Sequence, residues 1–102
     1  MKVKILDKDL EKFIYSLEKP TIAKVIRTIE LLEKFGYKLS LPHCKKINSK
    51  IFELRIRGRQ EIRIFYTFFG LEIILLHGFV KKSQKTPAKE IKTATSKLKF
   101  LT

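Results

Sequence analysis

The sequence predicts an α+β fold with the element order β-α-α-β-β-β-α, in which a helical hairpin packs on one face of an antiparallel sheet. Two observations predict it. Apolar residues recur at helical spacing in the first third of the chain, and three apolar runs rich in β-branched and aromatic residues occupy positions 51–57, 61–69 and 71–80. With 102 residues and 44% hydrophobic content, we expect a single domain over residues 1–102 with one core.

A short strand and two helices are predicted in the amino-terminal third. Residues 2–6 alternate polar and apolar side chains, and Asp7 is a suitable N-cap for the helix that follows. Pro20 suits the first turn of a second helix, and Gly36 suits its end. Each helix has one apolar stripe: Leu10, Phe13, Ile14 and Leu17 in the first, and Ile22, Val25, Ile26, Ile29, Leu32 and Phe35 in the second.

A loop, three strands and a terminal helix are predicted next. Residues 37–50 lack periodicity, and Gly58 and Gly70 separate the three strands as in an antiparallel meander. Thr86 is the expected N-cap of the terminal helix, and Pro87 its first residue. The apolar side of this helix comprises Ala88, Ile91, Ala94, Leu98 and Leu101. Because the hairpin hides its stripes on one sheet face, the opposite face is expected to be free.

The charge balance indicates a polyanionic partner. The chain has 23 Lys and Arg against 10 Asp and Glu, a formal net charge of +13 spread along its length. Such a field favours polyanions, although solubility or compositional bias would also account for it. The single cysteine excludes an internal disulfide, and neither a secretory signal nor an apolar run of about 20 residues is present. We therefore expect a cytoplasmic protein without a membrane segment.

Two arginines are predicted to face each other across neighbouring strands. In a hairpin of the first two apolar runs, alternation places Arg55 opposite Arg63, on the face that includes Glu53 and away from Leu54. Opposed like charges destabilise a strand pair by up to about 1 kcal/mol, and a bound anion would reverse this effect. The pair therefore indicates a phosphate site. The alternative is that each arginine pairs with Glu53 or Glu61, or extends into water.

Other charged and titratable residues surround this predicted site. Lys81 and Lys82 follow the third run at the edge of the same face, and Lys85 lies in the polar loop beyond them, so that they could close a basic cleft. RNA cleavage by the 2′-hydroxyl needs a proton acceptor, a proton donor and cations around the phosphorane. Glu53 and His77 are candidate proton carriers. A salt bridge would keep Glu53 ionised, and His77 fits a core histidine equally well.

No metal or cofactor is expected. His43 and Cys44 are adjacent in the predicted loop, but the chain has only one Cys and two His, and no pair of them has zinc-ligand spacing. Adjacent residues also rarely direct both groups at one atom. Glycine-rich phosphate loops and nucleotide fingerprints are missing from the sequence. Any activity should therefore be independent of metal ions.

Four segments resemble the RelE/HigB toxin superfamily, and most closely its phage-derived HigB-like branch. They are Ile51–Arg55, Ile62–Tyr66, Leu75–Lys82 and Gln84–Pro87, and their order and spacing match over nearly the whole chain. Members of this superfamily are type II toxins with a RelE-like fold that enter the ribosomal A site and cut mRNA there. The resemblance implies a ribosome-dependent, metal-independent mRNA endonuclease that acts by 2′-hydroxyl attack and inhibits translation.

The resemblance also implies residue roles and partners. Arg63 corresponds to the arginine at the scissile phosphate, Arg55 to a basic residue on the preceding strand, and Lys82 to a later basic residue. Glu53, where some relatives have lysine, completes the expected catalytic set. The expected RNA contacts are Arg57, Lys81, Lys85, Phe65 and His77. The implied partners are the ribosome with its mRNA and an acidic helix-turn-helix antitoxin, through which alone operator DNA would be bound.

Two other functions fit the same features. A ParE-like toxin would inhibit DNA gyrase without hydrolysing RNA, and a noncatalytic module would bind RNA or the ribosome through phosphate contacts alone. DNA damage with intact transcripts would indicate the first alternative. Salt-sensitive RNA binding without a cleaved product would indicate the second.

Overall fold

The computed structural model describes residues 1–101 as five strands and three helices. In chain order these are β1 (Lys2–Ile5), α1 (Lys8–Tyr15), α2 (Lys19–Phe35), β2 (Cys44–Lys46), β3 (Phe52–Ile56), β4 (Ile62–Phe69), β5 (Glu72–Val80) and α3 (Ala88–Leu98). Single 3₁₀ turns follow α2 (Gly36–Lys38) and α3 (Lys99–Leu101). The predicted α+β class is confirmed. None of the helices in this part of the chain is long and apolar enough to cross a membrane.

The five strands form one sheet in the order β1-β5-β4-β3-β2. The predicted antiparallel meander is confirmed as β3, β4 and β5. β1 lies parallel to β5, so the sheet is mixed rather than wholly antiparallel. β2 lies within the predicted loop and pairs with residues 52–54 of β3. Its three residues are too few to produce a recognisable alternation in the sequence.

The helical hairpin packs on one face of the sheet, as predicted. Asp7 caps α1, because its Oδ1 accepts a hydrogen bond from Leu10 N at 3.0 Å. Gly36 follows α2 with a φ of 51°, a conformation that glycine adopts without strain. The core between hairpin and sheet includes Leu10, Ile14, Leu17, Val25, Leu32, Leu54, Ile56, Ile62, Ile64, Tyr66, Ile73 and Leu75.

The buried stripe of α2 is rotated relative to the predicted one. The residues that α2 buries are Thr21, Val25, Thr28 and Leu32. Ile26 and Phe35 were expected in the core but are 49% and 43% exposed. Thr28 tolerates burial because its hydroxyl donates to Lys24 O at 2.7 Å. The stripe predicted from hydropathy was therefore wrong at Ile26 and Phe35, and it missed Thr28, whose hydroxyl is satisfied within the helix.

α3 packs on the other face of the sheet, which corrects the expectation that this face is free. A second core lies beneath the helix and comprises Ile51, Phe65, Ile74, Leu76, Phe79 and Ala94. A bulge in β5 contributes to this core, because the register with β4 shifts after Phe65 and leaves Leu76 as an extra residue. The end of the face beside the β3–β4 turn stays open, and a cleft forms there.

The start of α3 also differs from the prediction. Pro87 occupies the N-cap position and the helix begins at Ala88, so Thr86 does not cap it. The Thr86 hydroxyl instead donates to Glu53 Oε2 on β3 at 2.7 Å. This hydrogen bond fixes the segment between β5 and α3 against the sheet, next to the open end of the face.

Candidate functional site

A basic cleft of about 520 Å³ lies at the open end of the sheet. β3 and β4 pair in the predicted register, which places Arg55 opposite Arg63 on the face away from the helical hairpin. The cleft is lined by Arg55, Arg57, Glu61, Arg63, Lys81, Lys82, Ser83 and Gln84. Five cationic side chains thus surround a single carboxylate among the residues of its lining. Such a charge distribution attracts anions.

Glu53 lies between the two opposed arginines, beneath the cleft. Its side chain is 1% exposed, and Oε1 lies 3.5 Å from Arg55 Nε and 3.9 Å from Arg63 Nε. Oε2 accepts the hydrogen bond from Thr86. Glu53 therefore compensates the repulsion between the two guanidinium groups. In this arrangement the arginines pair with carboxylates of the chain itself, and phosphate binding between them stays a prediction.

Arg63 is fixed in the floor of the cleft. Its side chain is 3% exposed. Nη1 donates to Ile62 O at 2.9 Å, and Nη2 donates to Glu61 Oε1 at 3.2 Å. The buried Nε atoms of Arg55 and Arg63 have no hydrogen-bond partner in the described part of the chain. Electrostatic attraction to Glu53, rather than a hydrogen bond, compensates these two atoms.

Glu61 lines the cleft, whereas the sequence alone indicates only a salt-bridge partner at this position. Oε2 accepts a hydrogen bond from Gly58 N at 3.0 Å. That amide lowers the pKa of Glu61, burial opposes the shift, and the charges of Arg63 and Arg57 reinforce it. The carboxylate is therefore ionised at neutral pH. The sequence signal for this contact is Gly58, which lies three residues before Glu61 in a predicted turn.

The lysines after β5 form a further wall of the cleft. Lys81 N donates to Glu61 O at 2.7 Å, so the chain stays beside the start of β4 as it leaves β5. Lys82 is exposed and Lys81 is half-buried. Both lie at the edge of the face on which the sequence places them. Lys85 is also exposed but does not line the cleft.

Three predicted site residues are not available to RNA in the cleft. Phe65 is fully buried beneath α3, with its ring centroid 5.5 Å from that of Phe79, so no base can stack on it. His77 lies outside the cleft lining, and its Nε2 is 2.9 Å from Glu90 Oε1 on α3. Glu53 is buried and doubly engaged, which corrects its expected role as a proton acceptor. Phe65 and Glu53 were expected on an uncovered face but are buried, whereas an RNA contact by His77 outside the cleft stays a prediction.

His43 and Cys44 have separate surroundings. Cys44 is buried, and its Sγ donates to Leu39 O at 3.1 Å, whereas His43 is exposed. Within residues 1–101, no three His, Cys, Asp or Glu side chains form a group that could hold a metal ion.

Residues 12–99 match the family described as Phage derived protein Gp49-like (DUF891). This segment contains every residue that lines the cleft. The family is associated with toxin–antitoxin systems. No curated protein matches the chain. Because the family match covers most of the sequence, the chain belongs to the phage-derived Gp49-like family.

Proposed function

We propose that the chain is the toxin of a type II toxin–antitoxin system and that it cuts mRNA on the ribosome without a metal ion. The observation that carries the proposal is the basic cleft, where five cationic side chains surround one carboxylate at an uncovered end of the sheet. The association of the Gp49-like family with toxin–antitoxin systems supports the toxin assignment. The resemblance to RelE/HigB toxins supports the ribosome-dependent reaction.

The cations of the cleft would hold the scissile phosphate. Arg57 and Lys82 are exposed, and Lys81 is half-buried, so these three side chains would contact the phosphate oxygens directly. Arg55, which is 16% exposed, would contribute one edge of its guanidinium group. Arg63 would act from the floor as a fixed positive charge. Charges fixed before the reaction stabilise a phosphorane effectively, because no reorganisation accompanies the step.

Glu61 takes the role of proton acceptor that Glu53 is too buried to perform. The 2′-oxygen attacks phosphorus and its proton passes to Glu61. The bond between phosphorus and the 5′-oxygen then breaks, and the Lys82 ammonium donates a proton to the leaving oxygen. The products are a 2′,3′-cyclic phosphate and a 5′-hydroxyl. Because its pKa is lowered, Glu61 is a weak base, and electrostatic stabilisation by the cations supplies most of the acceleration.

An antitoxin partner is implied by the association of the family with toxin–antitoxin systems. We propose that this partner is acidic, because the chain has a net charge of +13 and an open basic cleft. It would carry the helix-turn-helix that binds operator DNA. Binding over the cleft would block access of mRNA to the cationic side chains.

Substitutions of exposed cleft residues test the proposed mRNA cutting most directly, because they should not disturb the fold. Lys82→Ala and Arg57→Ala should leave the fold intact and reduce mRNA cutting about 100-fold, the loss typical of removing one group that stabilises a transition state. Arg59→Ala is a matched control, because this side chain is 87% exposed and lies outside the cleft lining. Primer extension on translated mRNA after induction, together with growth curves, measures the effect.

Arg63→Ala is a weaker test, since it removes a buried partner of Glu53 and would disturb folding as well as activity. Growth arrest with intact transcripts would contradict the proposal. Equal cutting by wild type and Lys82→Ala would do so too. DNA damage and gyrase binding would instead indicate a ParE-like toxin.

A further inference from the structure

A second hollow, of about 330 Å³, adjoins the cleft at the edge of the sheet, between α2 and β3. Arg55 and Arg57 line both cavities, and these two residues form the ridge between the hollow and the cleft. We propose that this hollow binds the nucleotide next to the one whose phosphate lies in the cleft, on the same RNA strand. The inference rests on the proposed function and adds a second binding subsite to it.

The hollow exists because β2 is short. β2 pairs only with residues 52–54, and the last contact on this side is the hydrogen bond from Arg55 N to His43 O at 2.8 Å. Beyond Arg55, β3 therefore has no strand neighbour on that edge. α2 passes nearby on the hairpin face, and Lys24 Nζ donates to Arg57 O at 3.3 Å. That contact bridges the helix and the ridge.

The walls of the hollow suit a nucleobase. Leu31, Pro42 and Ile56 provide apolar surface, and His43 is exposed at the same site. Pockets for small ligands are mostly apolar with a few polar groups, and this volume lies at the lower end of their range of roughly 300–1,000 Å³. The hollow therefore fits one nucleotide rather than a longer segment.

The charges of the hollow suit the phosphate of that nucleotide. Lys24, Arg27, Arg55 and Arg57 are its cations, and no carboxylate occurs among the described residues that line it. Arg27 is exposed and forms no salt bridge within residues 1–101. An acidic protein segment would also be attracted here. The shared ridge and the one-nucleotide size favour an RNA strand that continues out of the cleft.

Arg27→Ala tests the subsite without altering the cleft. The probes are 2′-O-methyl RNA oligonucleotides of one and three nucleotides, which lack the attacking hydroxyl and so are not cut. We expect the trinucleotide to bind the full-length wild type more tightly than the mononucleotide. Arg27→Ala should weaken trinucleotide binding about tenfold, as expected for loss of one charged contact, and leave mononucleotide binding unchanged. Fluorescence anisotropy measures both.

The salt dependence gives a second readout. Each phosphate contact with a single strand contributes about 0.7 to the slope of log affinity against log salt concentration, so Arg27→Ala should reduce that slope by about 0.7. Arg59→Ala removes the same charge from a site outside both cavities and should change the slope much less. Circular dichroism confirms that both variants fold.

The results of these binding experiments distinguish the nucleotide subsite from the nuclease activity. Equal trinucleotide affinities of the Arg27→Ala and Arg59→Ala variants would overturn the subsite, as would failure of the wild type to bind the trinucleotide. Loss of antitoxin binding by Arg27→Ala, with RNA binding unchanged, would assign the hollow to a protein partner instead. Arg27-dependent RNA binding without any mRNA cutting would retain the subsite and reject the nuclease.

Discussion

Glu53, Arg55 and Arg63 form a buried charge cluster in which one carboxylate compensates two guanidinium groups. Their facing positions on β3 and β4 would otherwise be repulsive. The cluster leaves one positive charge uncompensated by Glu53, directly below the cleft. Burial of charged groups is unfavourable unless they are paired, so the geometry of the cleft depends on Glu53 together with Glu61, whose Oε1 lies 3.2 Å from Arg63 Nη2.

Replacement of this carboxylate should be costly. Glu53→Gln keeps an acceptor for Thr86 but leaves the buried Arg63 guanidinium opposed to that of the partly buried Arg55, so we expect the free energy of unfolding to fall by about 3 kcal/mol. Urea denaturation measures this value. Glu18→Gln is the control, because Glu18 Oε1 lies 3.9 Å from Arg59 Nε on the surface and its loss should cost about 0.5 kcal/mol or less. Equal effects of the two substitutions would contradict this account.

The lowered pKa of Glu61 predicts a pH dependence of stability. Its pKa lies below the ordinary value of 4.5 in the folded chain, so folding favours the ionised carboxylate. The resulting stabilisation is complete above the ordinary pKa and is lost as the pH falls through the lowered one. Glu61→Gln should therefore be less stable than wild type at neutral pH, and the difference should vanish once the pH falls below the lowered pKa of Glu61. A difference that is independent of pH would exclude this linkage.

At the scale of residues, the sequence predicts which side chains share a face but not how deeply they are buried. Alternation along the strands correctly placed Arg55 opposite Arg63, because side-chain direction follows from strand geometry alone. The hydrogen bond between Thr86 and Glu53 joins residues 33 positions apart. No local pattern encodes such a contact, and the burial of Glu53 follows from it.

At the scale of elements, helical periodicity reveals an apolar stripe but not the surface that the stripe meets. The terminal helix was predicted from its spacing, yet its place on the second sheet face was not. That docking depends on the bulge in β5 and on ion pairs such as that of Lys97 Nζ with Asp7 Oδ2 at 2.9 Å. The order of the helices and of the other four strands could thus be predicted from the sequence, whereas β2 and the layer formed by α3 could not.

Ala94 provides a test of how closely α3 approaches the sheet. This residue is fully buried in the second core, beneath the helix. Ala94→Leu should lower the free energy of unfolding by about 1–3 kcal/mol through overpacking. The same substitution at Ala23, which is exposed on α2, should change it by about 0.5 kcal/mol or less. Thermal or urea denaturation of both variants measures these changes. Equal losses of stability in the two variants would mean that α3 does not pack closely on the sheet.

At the scale of the whole molecule, cationic residues are spread along the sequence, and the fold brings several of them close together. The net charge of +13 predicted a polyanionic partner without locating it. The structure brings cations from α2, β3, β4 and the segment after β5 to one end of the sheet. Composition therefore predicts the class of partner, and only the folded chain shows which few of its cations lie together.

The pairing of β1 with β5 has a consequence for synthesis of the chain. Within residues 1–101, β1 has its sheet neighbour at positions 72–75, and the lysines at positions 81 and 82 come later still. Long-range pairing of this kind forms slowly and late, because a large loop must close first. In a chain interrupted before β5, β1 would have no sheet neighbour and the cleft would lack two of its cations, so such truncated products should not show the RNA cutting proposed above.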